Sequence, residues 1–226
     1  MMRECGYTVS VIGRRDPPAE DRQPGVRYWI GDVLDSATME STLTEILGAC
    51  GPLRYLVFSH RYRGEGDPWT GELEATLTAT RTVLDRTRGH FDSEGDRAIL
   101  MVSSVFGDFI GEGQPVGYHV AKAGLNQLMR YYAVELGREG VRVNAVTPFT
   151  YLKEESQDFY LGHDALQELY GRIVPLGRMA TTEDVANVVM FLCSAQAAYV
   201  NGQNLYVDGG LSLVWPETLA RRLEGV

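Results

Sequence analysis

Short apolar runs alternate with helical patterns along the chain, and this alternation restricts the fold more than any other feature. The apolar runs at 53–58, 98–102 and 141–146 have the length of buried strands. Between them, apolar residues recur every three or four positions, which is typical of helices with one buried face. Alternating strands and helices favour a parallel sheet with helices on both faces. The sequence therefore predicts an α/β fold, in a single domain that spans residues 1–226.

The segment 98–146 holds the residues that point to chemistry. Its apolar strand ends in Ser103 and Ser104, and the helical pattern that follows begins near Tyr118. Lys122 lies four positions after Tyr118, so both side chains extend from the same side of that helix. A phenol has a pKa of about 10 in water, and a nearby ammonium lowers it by favouring the phenolate. The spacing therefore suits proton transfer by Tyr118, beside a serine hydroxyl that could hold a substrate oxygen.

Further motifs follow the group formed by Ser104, Tyr118 and Lys122. They are, with their positions, VRVNAVTP (141–148), VPLGR (174–178) and VDGG (207–210). In this combination the chain resembles the short-chain dehydrogenase/reductase family, and most closely its branch of β-ketoacyl carrier protein reductases. The resemblance implies a Rossmann-like, doubly wound parallel sheet and a nicotinamide cofactor. It also implies a catalytic Ser–Tyr–Lys group that acts on a small-molecule substrate.

One part of the family's pattern is missing. In this family a strand leads into a Thr-Gly-x-x-x-Gly-x-Gly turn and a helix N-terminus that holds the cofactor pyrophosphate, and the sequence contains no such turn. Residues 7–12 align with the family's second strand, so the resemblance implies an N-terminally truncated fold without the first strand. That strand would lie mid-sheet, and its absence would leave two strand edges unpaired. Either the protein is longer upstream, or the remaining strands close the gap.

The resemblance assigns four residues to the cofactor. Arg14 lies where the family places a basic residue for the 2′-phosphate of NADP, although a solvent-exposed turn arginine would look the same. Asp32 and Val33 resemble the pair that holds the adenine ring, and the alternative is a strand-end aspartate that caps a turn. The family's Asn-Asn-Ala-Gly is replaced here by Phe58-Ser59-His60-Arg61. Arg61 could therefore offer a new contact to a phosphate.

Other positions that face the cofactor in this family also depart from its pattern. The asparagine of the family's proton relay is replaced by Thr76, and the glycine that usually follows Pro148 is Phe149. The threonine that meets the cofactor carboxamide is not recognisable in residues 150–152. Together with the missing turn, these departures predict that NADP binds weakly or not at all to the chain as given.

Three hypotheses for the function stay open. The first is NADP-dependent reduction of a small carbonyl compound, or the reverse oxidation: Tyr118 gives its proton to the carbonyl oxygen, Ser104 holds that oxygen and Lys122 binds the nicotinamide ribose. The second keeps this group without a cofactor, for acid–base chemistry such as an isomerisation or a dehydration. The third is a degenerate, non-catalytic subunit that stabilises an active relative. The intact group counts against the third and the missing turn against the first. The sequence favours a reductase with an impaired cofactor site.

The composition of the chain argues against several classes of binding partner and indicates the cellular compartment. A net charge of −9 argues against nucleic acid and against anionic membrane surfaces as partners. No apolar run approaches the ~18 residues of a membrane span, and the first residues contain no signal-peptide core. Cys5, Cys50 and Cys193 are widely spaced and odd in number, which favours free thiols in a cytoplasmic protein. The four histidines form no spaced ligand pair, so the sequence predicts no metal site.

The resemblance further implies a homo-oligomer, either a homodimer or a homotetramer. Relatives pair through two long helices, which correspond here to residues 69–88 and 118–138, and through the last strand near Tyr206. The segment 147–175, which would shape the substrate pocket, contains no family motif that identifies the substrate.

Overall fold

Strands and helices alternate as the sequence predicts. The computed structural model describes residues 1–152 and 154–225, with only the backbone described at 154–157. The strands are β1 (Val9–Gly13), β2 (Val26–Ile30), β3 (Tyr55–Phe58), β4 (Arg97–Val102), β5 (Val141–Pro148), β6 (Tyr151–Leu152), β7 (Ala180–Thr181) and β8 (Asn204–Val207). The α-helices are α1 (Ser36–Cys50), α2 (Pro68–Leu73), α3 (Ala79–Thr87), α4 (Val116–Gly137), α5 (Glu154–Leu161), α6 (Asp164–Ile173), α7 (Thr182–Leu192) and α8 (Pro216–Glu224).

Every strand pair in the described part of the chain is parallel, which confirms the predicted class of sheet. β3, β4, β5 and β8 form one sheet in that order, β1 pairs with β2, and the short β6 pairs with β7. β4 and β5 share the longest register, in which Ile99 lies opposite Val143 and Val102 opposite Val146.

The sheet is interrupted between β1 and β3. No ladder joins these two strands in the ranges that the structure describes, so the remaining strands do not close the gap. Tyr7, two residues before β1, and Tyr55, the first residue of β3, have hydroxyl oxygens 3.2 Å apart. Along the interruption Val11 and Val57 stay 42% and 38% exposed.

Helices cover both faces of the four-stranded sheet. Successive residues of β4 point to opposite faces. Ile99 and Met101 pack into a core that α1, α3 and α4 complete, while Ala98 and Leu100 pack beneath α7. The predicted two-faced α/β architecture is confirmed. Helix α7 begins with a capping box, because the Thr181 hydroxyl accepts from the Asp184 N–H and the Asp184 carboxylate accepts from the Thr181 N–H.

The helix predicted at residues 69–88 is not regular. A π-helical segment, Glu74–Thr78, separates α2 from α3, and the Ala79 N–H bonds to the Glu74 carbonyl five positions back. Such segments bulge from the helix and are frequent at functional sites. Helix α8 is not predicted from the sequence, although Pro216 at its first turn is a recognised start signal.

Candidate active site

One cleft gathers most of the predicted site residues. It lies at the carboxyl edge of β3, β4 and β5, has a volume of about 290 Å³, and is lined by Ser104, Tyr118, Lys122 and Arg61 among other residues. The carboxyl edge of a parallel sheet is where α/β folds bind their ligands. The structure therefore brings the predicted catalytic residues and one of the predicted cofactor residues to the same place.

Helix α4 positions Tyr118 and Lys122. The preceding Gly117 allows α2 to approach closely, because a Cβ there would lie 2.8 Å from the Trp69 Cα. Lys122 is only 3% exposed, and its Nζ donates a 2.9 Å hydrogen bond to the Val102 carbonyl at the end of β4. The same Nζ lies 5.7 Å from the centroid of the Tyr118 ring. A buried ammonium is thus held beside the phenol.

The two serines after β4 have different surroundings. The Ser103 hydroxyl donates to the Asn126 side-chain oxygen over 2.6 Å, which ties the end of β4 to α4. The Ser104 oxygen accepts a 3.3 Å hydrogen bond from the Phe106 N–H, which leaves its own proton available to an acceptor in the cleft. This difference supports the choice of Ser104, rather than Ser103, as the group that could hold a substrate oxygen.

Arg61 places a second cation on the Tyr118 ring. Its guanidinium carbon lies 5.4 Å from the ring centroid, within the range of a cation–π contact. Arg61 is exposed, whereas Lys122 is buried. Two positive charges therefore lie beside the phenol in a chain whose net charge is −9. Both would favour a negative charge that develops on the phenol or on a bound ligand.

His60 connects the cleft to the π-helical segment. Its Nε2 lies 2.8 Å from the Ala75 carbonyl, and since a carbonyl can only accept, this nitrogen carries the proton. Burial lowers the pKa of His60 below its ordinary value, an effect that the Lys122 charge strengthens and the bond to Ala75 opposes. His60 is therefore a neutral group at neutral pH, fixed as a single tautomer.

Glu72 is a functional candidate that the sequence reasoning missed. Its side chain is 4% exposed, and its Oε2 has no hydrogen-bond partner among the described residues. Burial raises the pKa of this carboxyl, while the charges of Arg61 and Lys122 oppose the rise. The helical pattern could have revealed it, because Glu72 follows Trp69 by three positions and so lies on the same side of the helix.

The other predicted cofactor residues lie outside the cleft. Arg14 is exposed in the turn after β1. The Asp32 carboxylate accepts a 3.0 Å hydrogen bond from the Leu34 N–H, and Val33 packs against the core. Neither they nor Arg14 belong to the described lining of the cleft. Their assignment to the adenine end of a cofactor stays a prediction.

The cleft residues fit the reacting end of a nicotinamide cofactor, whereas the capped N-termini of α1 and α2 do not fit its pyrophosphate. Tyr118, Lys122 and Ser104 offer a cation and two hydroxyls in the cleft. A helix N-terminus with free N–H groups is a favourable site for a pyrophosphate. The Asp35 carboxylate already accepts the Ala37 and Thr38 N–H groups at the start of α1, and its charge repels an anion. The Asp67 carboxylate caps α2 in the same way.

The described residues contain no group of three or more His, Cys, Asp or Glu side chains that could hold a metal ion. None of the described helices is both long and apolar enough to cross a membrane.

Comparisons with known proteins match nearly the whole chain. A family model for enoyl-(acyl carrier protein) reductase matches residues 20–212. The inactive 2-(S)-hydroxypropyl-CoM dehydrogenase 2 of Xanthobacter autotrophicus is 32% identical, over 93% of this chain and 97% of that protein. The galactitol 2-dehydrogenase of Rhizobium johnstonii is 29% identical, over 93% of this chain and 88% of that protein. A solved short-chain dehydrogenase/reductase structure from Burkholderia xenovorans is 30% identical, with a TM-score of 0.73 over 84% of this chain and 77% of that one.

Proposed function

Because this chain belongs to the short-chain dehydrogenase/reductase family of oxidoreductases, we propose that it reduces a small carbonyl compound, or oxidises the matching alcohol, in the cleft that Tyr118 lines. The observation that supports this proposal is the placement of Ser104, Tyr118 and Lys122 around one cleft at the carboxyl edge of the sheet. Each of these side chains has an ordinary structural role when taken singly. Their convergence on one cleft is what a proton-transfer site requires.

Each residue has a distinct role in the proposed reaction. The Ser104 hydroxyl donates a hydrogen bond to the substrate carbonyl oxygen. The Tyr118 hydroxyl gives its proton to that oxygen as negative charge develops on it. Lys122 stabilises the resulting phenolate, since its Nζ is held beside the ring by the Val102 carbonyl. A reduced nicotinamide, when bound, would supply the hydride for the carbonyl carbon.

The cofactor that we propose is NADP rather than NAD, although its binding is expected to be weak. Arg14 and Arg61 are candidates for contacts to the 2′-phosphate or to another phosphate, and Asp32 and Val33 are the candidates for the adenine end. Arginine suits this task because its planar guanidinium can donate two parallel hydrogen bonds to one phosphate.

Turnover on a panel of carbonyl compounds tests the proposal. We expect NADPH-dependent formation of alcohol products, detected chromatographically, with NADH less effective at equal concentration. A chain that forms no alcohol from any compound at millimolar NADPH would contradict the reductase proposal. The same panel run in the oxidative direction with NADP⁺ serves as the internal check.

A second candidate function is cofactor-free acid–base catalysis, such as an isomerisation or a dehydration. The sequence has no Thr-Gly-x-x-x-Gly-x-Gly turn for a pyrophosphate, while the Tyr118 cleft is intact, and this combination favours it. An enolisable ketone incubated in D₂O without any cofactor would then take up deuterium beside its carbonyl group. A Tyr118→Phe variant that exchanges as fast as the wild type would favour the non-catalytic subunit instead.

We also propose a homo-oligomer that pairs through α4 and the helical stretch before it. On the surface of α4 the side chains of Tyr131 and Val134 are 59% and 69% exposed, and Tyr206 on β8 is 39% exposed. Light scattering at micromolar concentration should give the mass of a dimer or a tetramer, and Val134→Glu should reduce it. Ala19→Glu, an exposed site away from α4, is the matched control. A wild-type protein that is monomeric at this concentration would contradict this proposal.

A further inference from the structure

The charged groups that line the Tyr118 cleft have the opposite sign to the chain as a whole. The sequence carries 30 acidic residues and a net charge of −9. The described lining of the cleft nevertheless contains two cations, Arg61 and Lys122, and no aspartate or glutamate. Lys122 is only 3% exposed and donates to the Val102 carbonyl, whereas Arg61 is exposed. Arg61 is therefore the cation that an incoming anion can reach.

Glu72 is a carboxyl group that both cations influence from outside the described lining. Its side chain is 4% exposed. Burial raises its pKa, while the charges of Arg61 and Lys122 oppose the rise. Because Glu72 is buried and is not part of the described lining, a ligand in the cleft meets the two cations without an opposing carboxylate in the same lining.

Arg61 lies close to the group that would react. Its guanidinium carbon is 5.4 Å from the centroid of the Tyr118 ring. In the proposed reaction the substrate carbonyl oxygen lies at the Tyr118 hydroxyl, so a group bound to Arg61 must be separated from that carbonyl by only a few bonds. A guanidinium can donate two parallel hydrogen bonds to one carboxylate. The distance therefore suits a carboxylate attached to the carbonyl carbon or to the next carbon.

Aromatic side chains form an apolar part of the same lining. They are Phe106, Phe149, Tyr151 and Tyr160. Phe149 and Tyr160 both pack edge-on against Tyr170 of α6, with ring centroids 6.0 and 6.3 Å from its ring. Such rings offer a large apolar surface to a ligand. The cleft thus combines an accessible cation with an aromatic surface.

We propose that the substrate is a short 2-oxo or 3-oxo acid with an apolar substituent, or the matching hydroxy acid, and that Arg61 binds its carboxylate. This proposal rests on the proposed function, in which Tyr118 gives its proton to the carbonyl oxygen. The reaction converts C=O to CH–OH with a hydride from a reduced nicotinamide and the Tyr118 proton, and it leaves the carboxylate unchanged. The apolar substituent packs on Phe149 and Tyr160. A guanidinium has five N–H donors, so Arg61 can hold this carboxylate and still contact a cofactor phosphate.

Binding in the absence of cofactor tests the carboxylate site apart from turnover. Benzoylformate, a 2-oxo acid with a phenyl substituent, and its methyl ester are each titrated against the cofactor-free chain by ligand-observed NMR. The dissociation constant of the acid should be about 10–10²-fold lower than that of the ester, the effect of hydrogen bonds to a charged group. Arg61→Gln should remove this preference. Arg61→Lys should keep part of it, because lysine keeps the charge without the two parallel donors.

The kinetic test lets the acid and the ester compete in one mixture with NADPH. The ratio of the two products gives the ratio of their kcat/KM values, and any effect of a variant on cofactor binding cancels in it. The wild type should favour the acid, and Arg61→Gln should lower the ratio by about 10–10²-fold. Arg81→Gln makes the same change at an exposed arginine of α3 outside the described lining, and it should keep the wild-type ratio.

The outcomes distinguish this proposal from the function on which it rests. A wild type that prefers the acid in binding through Arg61, yet reduces no carbonyl compound, would overturn the proposed function and support the carboxylate site. A wild type that reduces the ester as well as the acid and binds both equally would overturn the carboxylate site and leave the reductase function in place. An Arg61→Gln variant that keeps the preference for the acid would likewise overturn the role of Arg61.

Discussion

Tyr118→Phe is expected to lower turnover by about 10²–10⁴-fold, the usual size of a lost general acid–base group. The phenyl ring stays between the two cations, so packing in the cleft changes little. No described residue hydrogen-bonds the Tyr118 hydroxyl, and its removal therefore leaves no buried group without a partner. Cofactor binding and thermal stability should stay close to those of the wild type. Steady-state kinetics measure the loss of turnover, and calorimetry measures the cofactor binding.

A matched control exists on the same helix. Tyr131→Phe makes the same chemical change on α4 at a side chain that is 59% exposed and away from the cleft, and it should keep wild-type turnover. Turnover in Tyr118→Phe within a few fold of the wild type would remove Tyr118 from the mechanism. Such a result would also withdraw the support that the cleft gives to the reductase proposal.

The second prediction with a large expected effect concerns the affinity of the chain for NADPH. We expect the chain of 226 residues to bind NADPH weakly or not at all by calorimetry. Several charge-assisted hydrogen bonds to the pyrophosphate, at about 1.5–3 kcal/mol each, are missing without a glycine-rich turn. Each loss of about 1.4 kcal/mol is a tenfold loss of affinity.

Two variants test the cause of the expected weak NADPH binding. A version extended upstream to include a Thr-Gly-x-x-x-Gly-x-Gly turn should bind NADPH orders of magnitude more tightly. Arg61→Gln should abolish any residual binding, because Arg61 is the exposed cation of the cleft. Micromolar binding by the chain as given would show that it holds the cofactor in another way. The alignment of residues 7–12 with the family's second strand would then be wrong.

Local sequence patterns predicted the helices and strands well, because the spacing of the apolar residues along the chain decides which face of each element is buried. The apolar runs predicted at 98–102 and 141–146 lie within β4 and β5, and the Thr181 capping box is set by residues three apart. The pairing of Tyr118 with Lys122 is likewise a property of one helical turn. For this reason the centre of the candidate site could be found before any tertiary contact was known.

Features that depend on contacts across the fold could not be predicted in this way. The π-helical segment Glu74–Thr78 and the orphan oxygen of Glu72 arise where α2 packs on α4, far apart in the chain. The position of Arg61 on the Tyr118 ring depends on the path of a loop. Sequence spacing carries no information on such through-space contacts.

The interruption between β1 and β3 also divides the molecule into parts that need not open together. β1, β2 and α1 are held to the rest by packing at residues such as Ile12 and Met39, and by Arg86, which bonds to Ser36 and pairs with Glu40. Separating such a boundary disrupts side-chain contacts alone, whereas opening the four-stranded sheet breaks a continuous backbone ladder. Local opening therefore costs less free energy at the first two strands. We therefore expect amide protons in β1 and β2 to exchange with solvent well before those of β4 and β5.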